Sequence, residues 1–455
     1  MSNKRDPLPA GPLATPERRA AIGVLLWLLV LALVSLLVSV PFRLTGSTGT
    51  FSDAHAIFLN GLLVSITAFV ALMASDAFGL RERSGRSAAV VLWGALLASA
   101  IAGIGGILDV LVGGLSFVSL ALLGELSLGV ALVALMAGLM FRAAATRRTR
   151  DWAAAVATMA ALGAVFMAYV AAWMLTFGDW PRALVHGYPT LVGMTASSTW
   201  LGQLATGYAH LLPAAIVALA VGTAATVLPP EREGGILVRV GLIWVTAGTV
   251  LSTLIFMVSG FSVAQPPIFF QSGPAGLNGL WASNLAVVIA VVLGALVTLV
   301  GLGRERLPGA VQLWAAALIG ALLFVILAGV GSYVEMNESL YGLGALNAPN
   351  AAQNAAFTWF VQDVGWLALP ALMAVLASLH RLVPAERSAR LVPLWVAAGG
   401  VVAFVGGIVY VFAAPAPTGV GLVITGVGLA LALVGVLLAA RAATLPVLVR
   451  SEDAA

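Results

Sequence analysis

The chain contains no cysteine, so disulfides, iron–sulfur clusters and thiolate metal sites are excluded. Charge is scarce as well. Only 9% of residues are Asp, Glu, Lys or Arg, against about 25% in soluble domains. Histidine is confined to His55, His186, His210 and His380. No zinc-type spacing, nucleotide-binding loop or catalytic triad can be drawn from the sequence. It also lacks a coiled coil, a low-complexity tract and any hydrophilic linker that would divide it. These absences leave little soluble mass.

What the chain has instead is apolar length. It is 61% hydrophobic, with a mean hydropathy of +1.07. A helix crosses a bilayer with roughly 20 apolar residues. Twelve such runs are predicted, at 20–42, 55–80, 87–112, 115–144, 152–178, 198–227, 236–260, 279–302, 309–334, 355–382, 391–414 and 418–444. The first follows a basic, polar start and is too long for a signal-peptide core, so it reads as an uncleaved span.

The net charge of +4 is a topology signal and not a nucleic-acid signal. All Lys and Arg except Arg43 and Arg182 fall in the N-terminal tail, the C-terminal tail or loops of one parity. Basic loops stay cytosolic. The predicted fold is therefore an all-α polytopic membrane protein with twelve transmembrane helices and both termini cytosolic. The expected organisation is a cytosolic tail over 1–19, one membrane domain over 20–448 and a second cytosolic tail over 449–455. The cell membrane is the expected location, with the lipid bilayer as partner and no nucleic acid.

An ionisable group inside a span normally faces protein, water or a ligand. Asp109 and Glu335 sit near the outer ends of their runs and read as interfacial. Glu125 and Asp363 lie deeper, and are proton- or ion-path candidates or satisfied interhelical hydrogen-bonders. His55 opens the second span and His210 lies a third of the way into the sixth. A neutral buried imidazole is a haem or metal ligand in one reading and a helix–helix hydrogen-bonder in the other. His186 reads as a loop residue and His380 as interfacial.

Short stretches resemble subunit I of the haem-copper oxidase superfamily, most closely its B-type branch. In span ten, Asn354-Ala-Ala enters and Ser378-Leu-His-Arg-Leu-Val-Pro384 exits as in that family. In span two, His55-Ala-Ile-Phe-Leu-Asn60 is similar to the family's haem-ligand motif, one residue longer. In span six, Leu211-Leu212-Pro213-Ala214 sets a register that puts Tyr208 on the family's tyrosine and Leu204 on a copper histidine. Gly260-Phe261-Ser262-Val263 stands where span seven of the family ends in two histidines. Its span-ten histidine pair falls within Val361–Val364, where Gln362 and Asp363 are the polar residues. The resemblance thus implies a twelve-helix bundle, respiratory electron transfer and other respiratory-complex subunits as partners. It implies at most one haem, through His55, and no copper. Tyr208, His210, Asp363 and Glu125 would line the former cavity as hydrogen-bonding or proton-relay groups, leaving a degenerate oxidoreductase scaffold.

Two alternatives stay open. Gly79-Leu-Arg-Glu-Arg-Ser-Gly-Arg86 is similar to the loop signature between spans two and three of major-facilitator proteins, twelve-helix secondary transporters. Against it, the connection between spans six and seven is very short. The other is a structural subunit of a larger complex, packing through its Gly- and Ala-rich helices.

Overall fold

The computed structural model describes residues 22–41 in part, then 51–112, 118–177, 200–228, 235–261, 279–304, 387–412 and 419–452. Within them lie α1 (Phe51–Ala77), the short α2 (Leu80–Arg83), α3 (Gly85–Val112), α4 (Val118–Thr146), α5 (Thr149–Phe177) and α6 (Trp200–Ala224, followed by a 3-10 turn). They continue with α7 (Ile236–Phe261), α8 (Gly279–Arg304), α9 (Arg387–Phe412) and α10 (Gly419–Glu452). No strand occurs among the described residues. Every long helix coincides with an apolar run, with ends displaced by a few residues. The exception is α10, which stays helical to Glu452, well past the end of its run at 444. Spans nine and ten, and with them Glu335, Asp363 and His380, lie outside the described residues, as does His186.

Five helical segments among the described residues are long and apolar enough to cross a membrane: Gly85–Ala102, Leu123–Thr146, Ile236–Leu254, Leu391–Tyr410 and Gly419–Arg441. Their outer faces are apolar too. On α4, Leu123, Leu126, Val130 and Val133 are exposed, and on α7 Val240, Ile243, Leu251 and Leu254. A soluble protein rarely leaves so large a contiguous apolar surface in water. Such faces suit contact with lipid. Inside the helices, hydroxyls donate to the carbonyl one turn back, as Thr158 does to Ala154 (2.8 Å), Thr249 to Val245 (2.7 Å) and Thr298 to Gly294 (2.9 Å). That disposes of polar groups where water is not present.

Two helical stretches among the described residues are buried on every side. In α1, each residue from Val64 to Ser75 is buried, and in α6 the same holds for Ala214–Ala224. A helix apolar all round belongs in the middle of a bundle, and α1 and α6 pack against each other there. Consecutive helices pair as antiparallel hairpins: α3 with α4, both against α1; α7 with α8, both against α6; and α9 with α10.

Small residues set how close these pairs come. A Cβ on Gly241 would lie 2.7 Å from the Thr298 nitrogen and 2.8 Å from the Gly294 oxygen. One on Gly294 would lie 2.9 Å from the Val245 nitrogen. Across the α9–α10 pair, Gly399 and Gly428 face each other in the same way, Gly406 faces Thr425, Gly421 faces Tyr410 and Gly435 faces Val396. In both hairpins the glycines repeat at heptad spacing, the period that keeps one seam facing its partner along a left-handed crossing. With no side chain in the way, the backbones touch, which is how helices associate where no hydrophobic force drives them together.

Candidate functional site

Among the candidate residues, His55 sits in the second turn of α1, and Tyr208 and His210 in the outer half of α6. The description of these three stops at the backbone, as it does for Leu204. Because α1 and α6 adjoin, the fold brings their helices together. At about 1.5 Å per residue, His210 lies roughly 22 Å from Ala225 and His55 roughly 34 Å from Phe78. Ala225 and Phe78 both belong to the basic end of the bundle. The hydrocarbon layer is about 30 Å thick, so His55 belongs at its far boundary and His210 well inside.

Glu125 is on α4, which also packs against α1. It is 3% exposed and continues the inward stripe of Leu128, Leu132, Leu135 and Leu139. Along the same axis it lies roughly 25 Å from Arg142, a depth close to that of His210. Glu125 and His210 thus occupy similar levels on two of the helices that pack against α1. Asp363 lies outside the described residues, and Ser262 and Val263 do as well.

A second polar centre was not singled out from the sequence. Arg142, near the C-terminal end of α4, donates from Nη1 to the Phe78 carbonyl, with its guanidinium 5.4 Å above the Phe78 ring. Its Nε stands 3.3 Å from Oδ1 of Asp151, on the first turn of α5. The contact is an ion pair and not an aligned hydrogen bond, since neither atom has a hydrogen-bond partner of good geometry. The Thr146 hydroxyl donates to Oδ2 of the same carboxylate. Arg150 stands 3.9 Å from Asp151 and donates from Nη1 to the carbonyls of Ala225 (3.2 Å) and Leu228 (2.8 Å). These carbonyls end the span-six helix, where Ala225 also accepts from the Leu228 nitrogen at 3.2 Å and a cation is favoured. One buried carboxylate thereby ties together the ends of α1, α4, α5 and α6.

The local backbone is shaped for this. Gly79 takes φ 66°, ψ 38°, a left-handed conformation that glycine adopts without the Cβ clash. It turns the chain from α1 into α2, and Leu80 then packs against Gly138. Arg147 sits at φ 54° between α4 and α5. Ser84 caps α3, its Oγ accepting from the Ser87 nitrogen at 3.3 Å.

These contacts gather the connections between spans two and three, four and five, and six and seven at one end of the bundle. The connection between spans eight and nine joins them, because Gly301 packs on Val238 at the start of α7. These four connections therefore share a face, as their parity predicts. Among the described residues no three His, Asp or Glu side chains converge as a metal site. No family model matches the chain, and no curated protein matches it significantly.

Proposed function

We propose that the chain is a divergent relative of haem-copper oxidase subunit I, a twelve-helix cell-membrane protein with both termini cytosolic. One observation carries the reading. The resemblance assigns cofactor histidines to spans two, six, seven and ten; of these, spans two and six have stretches buried throughout, Val64–Ser75 and Ala214–Ala224, and their helices α1 and α6 are in contact with each other. A scaffold built around a central cofactor needs its ligand-bearing helices in that position.

The donor set does not fit copper. Leu204, Ser262 and Val263 stand where three imidazoles would be needed, and no oxygen-reducing step follows from them. His55 would be the residue to hold a haem, which when bound would supply a one-electron carrier. The chain's own contribution is to hold that imidazole at the outer edge of the membrane. Glu125 and the span-six pair Tyr208 and His210 provide polar groups deeper in.

An optical spectrum of the purified protein, expressed with ample haem, tests the cofactor. A Soret band lost in His55→Ala and kept in His210→Ala is the expected result. Its absence in the wild type eliminates the haem version and leaves the scaffold without a cofactor.

The transporter reading retains one observation of its own: the loop between spans two and three is ordered, with Gly79 left-handed and the Phe78 carbonyl held by Arg142. Proton-coupled uptake into vesicles, abolished by Glu125→Gln or Asp363→Asn, would favour it over the oxidase relative.

A further inference from the structure

At the basic end of the bundle, side chains from α4 and α5 close over the ends of α1 and α6. Arg142 holds the Phe78 carbonyl just beyond α1, and Arg150 holds the Ala225 and Leu228 carbonyls just beyond α6. They share Asp151, which stands 3.3 Å from one guanidinium and 3.9 Å from the other. We propose that this cluster is a plug with two positions. It is closed here, and open when the Asp151 contacts part and water enters between α1 and α6.

The closed position leaves polar atoms unsatisfied. Ser75 lies one turn before Phe78 and Thr223 two residues before Ala225, both fully buried just inside the plug. Thr223 donates to the Leu219 carbonyl at 2.7 Å, as a buried hydroxyl in a helix normally does. The Ser75 hydroxyl makes no hydrogen bond, and neither Nε of Arg142 nor Oδ1 of Asp151 has an aligned one. Buried polar atoms without partners raise the free energy of the state that holds them. Water reaching all three in one movement lowers it again, which brings the open position within reach of the closed one.

Two further features favour movement here. Arg147, in the turn between Arg142 and Asp151, stands at φ 54°, a conformation strained for residues other than glycine. That strain is stored in the connection that brings the ion pair together. Beside Arg150 is a void of about 20 Å³, bounded in part by Thr149, Leu228, Val238 and Leu242. It has room for about one water, a first foothold for hydration of the guanidinium. Behind the plug, the contact between α1 and α6 leads toward the level of His210, so opening connects the basic side with the middle of the bundle. The inference depends on neither the oxidase nor the transporter reading.

The chain has no native cysteine, so single cysteines at Ser75→Cys and Thr223→Cys report on the space behind the plug. Ser252→Cys is the control. Ser252 is equally buried and also lacks a hydrogen bond, but lies on α7 one turn beyond Gly248, which packs on Val291 of α8. Reaction of each with a water-soluble methanethiosulfonate is timed in the full chain in lipid nanodiscs. In the wild-type background all three should react slowly. Asp151→Asn should speed Ser75→Cys and Thr223→Cys about tenfold, a fraction of what half a buried ion pair is worth, and leave Ser252→Cys unchanged. Should Asp151→Asn fail to fold, Thr146→Val removes only the hydroxyl that donates to Oδ2 and should give about threefold, the worth of one hydrogen bond. Unchanged rates at Ser75→Cys and Thr223→Cys in the variant that folds overturn the plug. Equal acceleration at Ser252→Cys also overturns it, since that is general loosening. Fast labelling in the wild-type background would show that there is no closed position.

Discussion

Arg142 and Asp151 face each other across the tight connection between α4 and α5, Nε to Oδ1 at 3.3 Å, with the carboxylate fully buried. Neither residue belongs to the central helices, yet the pair reaches both. Arg142 holds the Phe78 carbonyl beyond α1, and Arg150, the sequence neighbour of Asp151, holds the carbonyls beyond α6. Removing the carboxylate leaves two guanidinium groups in a confined space with their shared counter-charge gone. Breaking a buried pair from one side costs about 3–5 kcal/mol. Asp151→Asn should therefore lower the unfolding temperature in detergent sharply. Asp151→Ala combined with Arg142→Met should recover part of the loss, because both charges then leave together. An Asp151→Asn protein as stable as the wild type would show that the contact holds nothing.

The two left-handed residues on this face predict opposite signs. Gly79 stands at φ 66° and a Cβ there would lie 2.9 Å from Oε2 of Glu82, a flexible side chain that can move. The cost of Gly79→Ala is then mainly the backbone conformation, about 1–2 kcal/mol. Arg147 already bears that strain at φ 54°. Arg147→Gly relieves it and should be neutral or stabilising by up to about 1 kcal/mol. Chemical denaturation of both variants beside the wild type checks the difference in sign.

The helix glycines divide by what surrounds them. Gly241 and Gly428 have backbone atoms of the partner helix well inside 3 Å of an added Cβ, and backbone cannot rotate away. Gly241→Ala and Gly428→Ala should each cost about 1–3 kcal/mol through overpacking. Gly129 and Gly163 have nothing within 4 Å of that Cβ. There alanine improves helix propensity, and a gain of up to about 1 kcal/mol is expected. If all four respond alike, the hairpin seams are not closed in the manner described.

How much of this was legible in the sequence depends on the kind of feature. Helix existence was, because twenty apolar residues in a row have few other uses. The inner and outer faces were not. Val238 is buried and Val240 exposed, and no hydropathy scale separates two valines when the outside is lipid. The glycine seams were there to be read, since Gly241 with Gly248 and Gly294 with Gly301 repeat at one period. The pairing of one run with the other needed the fold. The Asp151 centre was hidden by its context: short basic loops collect arginine anyway, and one acid among Arg142, Arg147, Arg148 and Arg150 looked like charge balance. Its burial, which makes it matter, is a tertiary property. For the candidate cavity, the sequence singled out residues on α1, α4 and α6 besides Asp363, and the fold adds that α1 packs against both α4 and α6.

The shared basic face gives the sharpest test of topology, and the lack of native cysteine makes it direct. The contacts at Phe78, Arg142, Arg150 and Val238 bind four connections to one end of the bundle. Arginine in short loops stays in the cytosol during insertion, so that end should face inward. Single cysteines at Ser84→Cys and Arg147→Cys report on it. Gly114→Cys and Ser272→Cys, in the connections from α3 to α4 and from α7 to α8, report on the opposite side. In intact cells a membrane-impermeant maleimide should label Gly114→Cys and Ser272→Cys alone. The other two should react only after permeabilisation. The reverse pattern would invert the protein without disturbing the fold. Labelling of Ser84→Cys but not Arg147→Cys in intact cells would be fatal to the shared face itself, because the Arg142 bridge requires both loops on one side of the membrane.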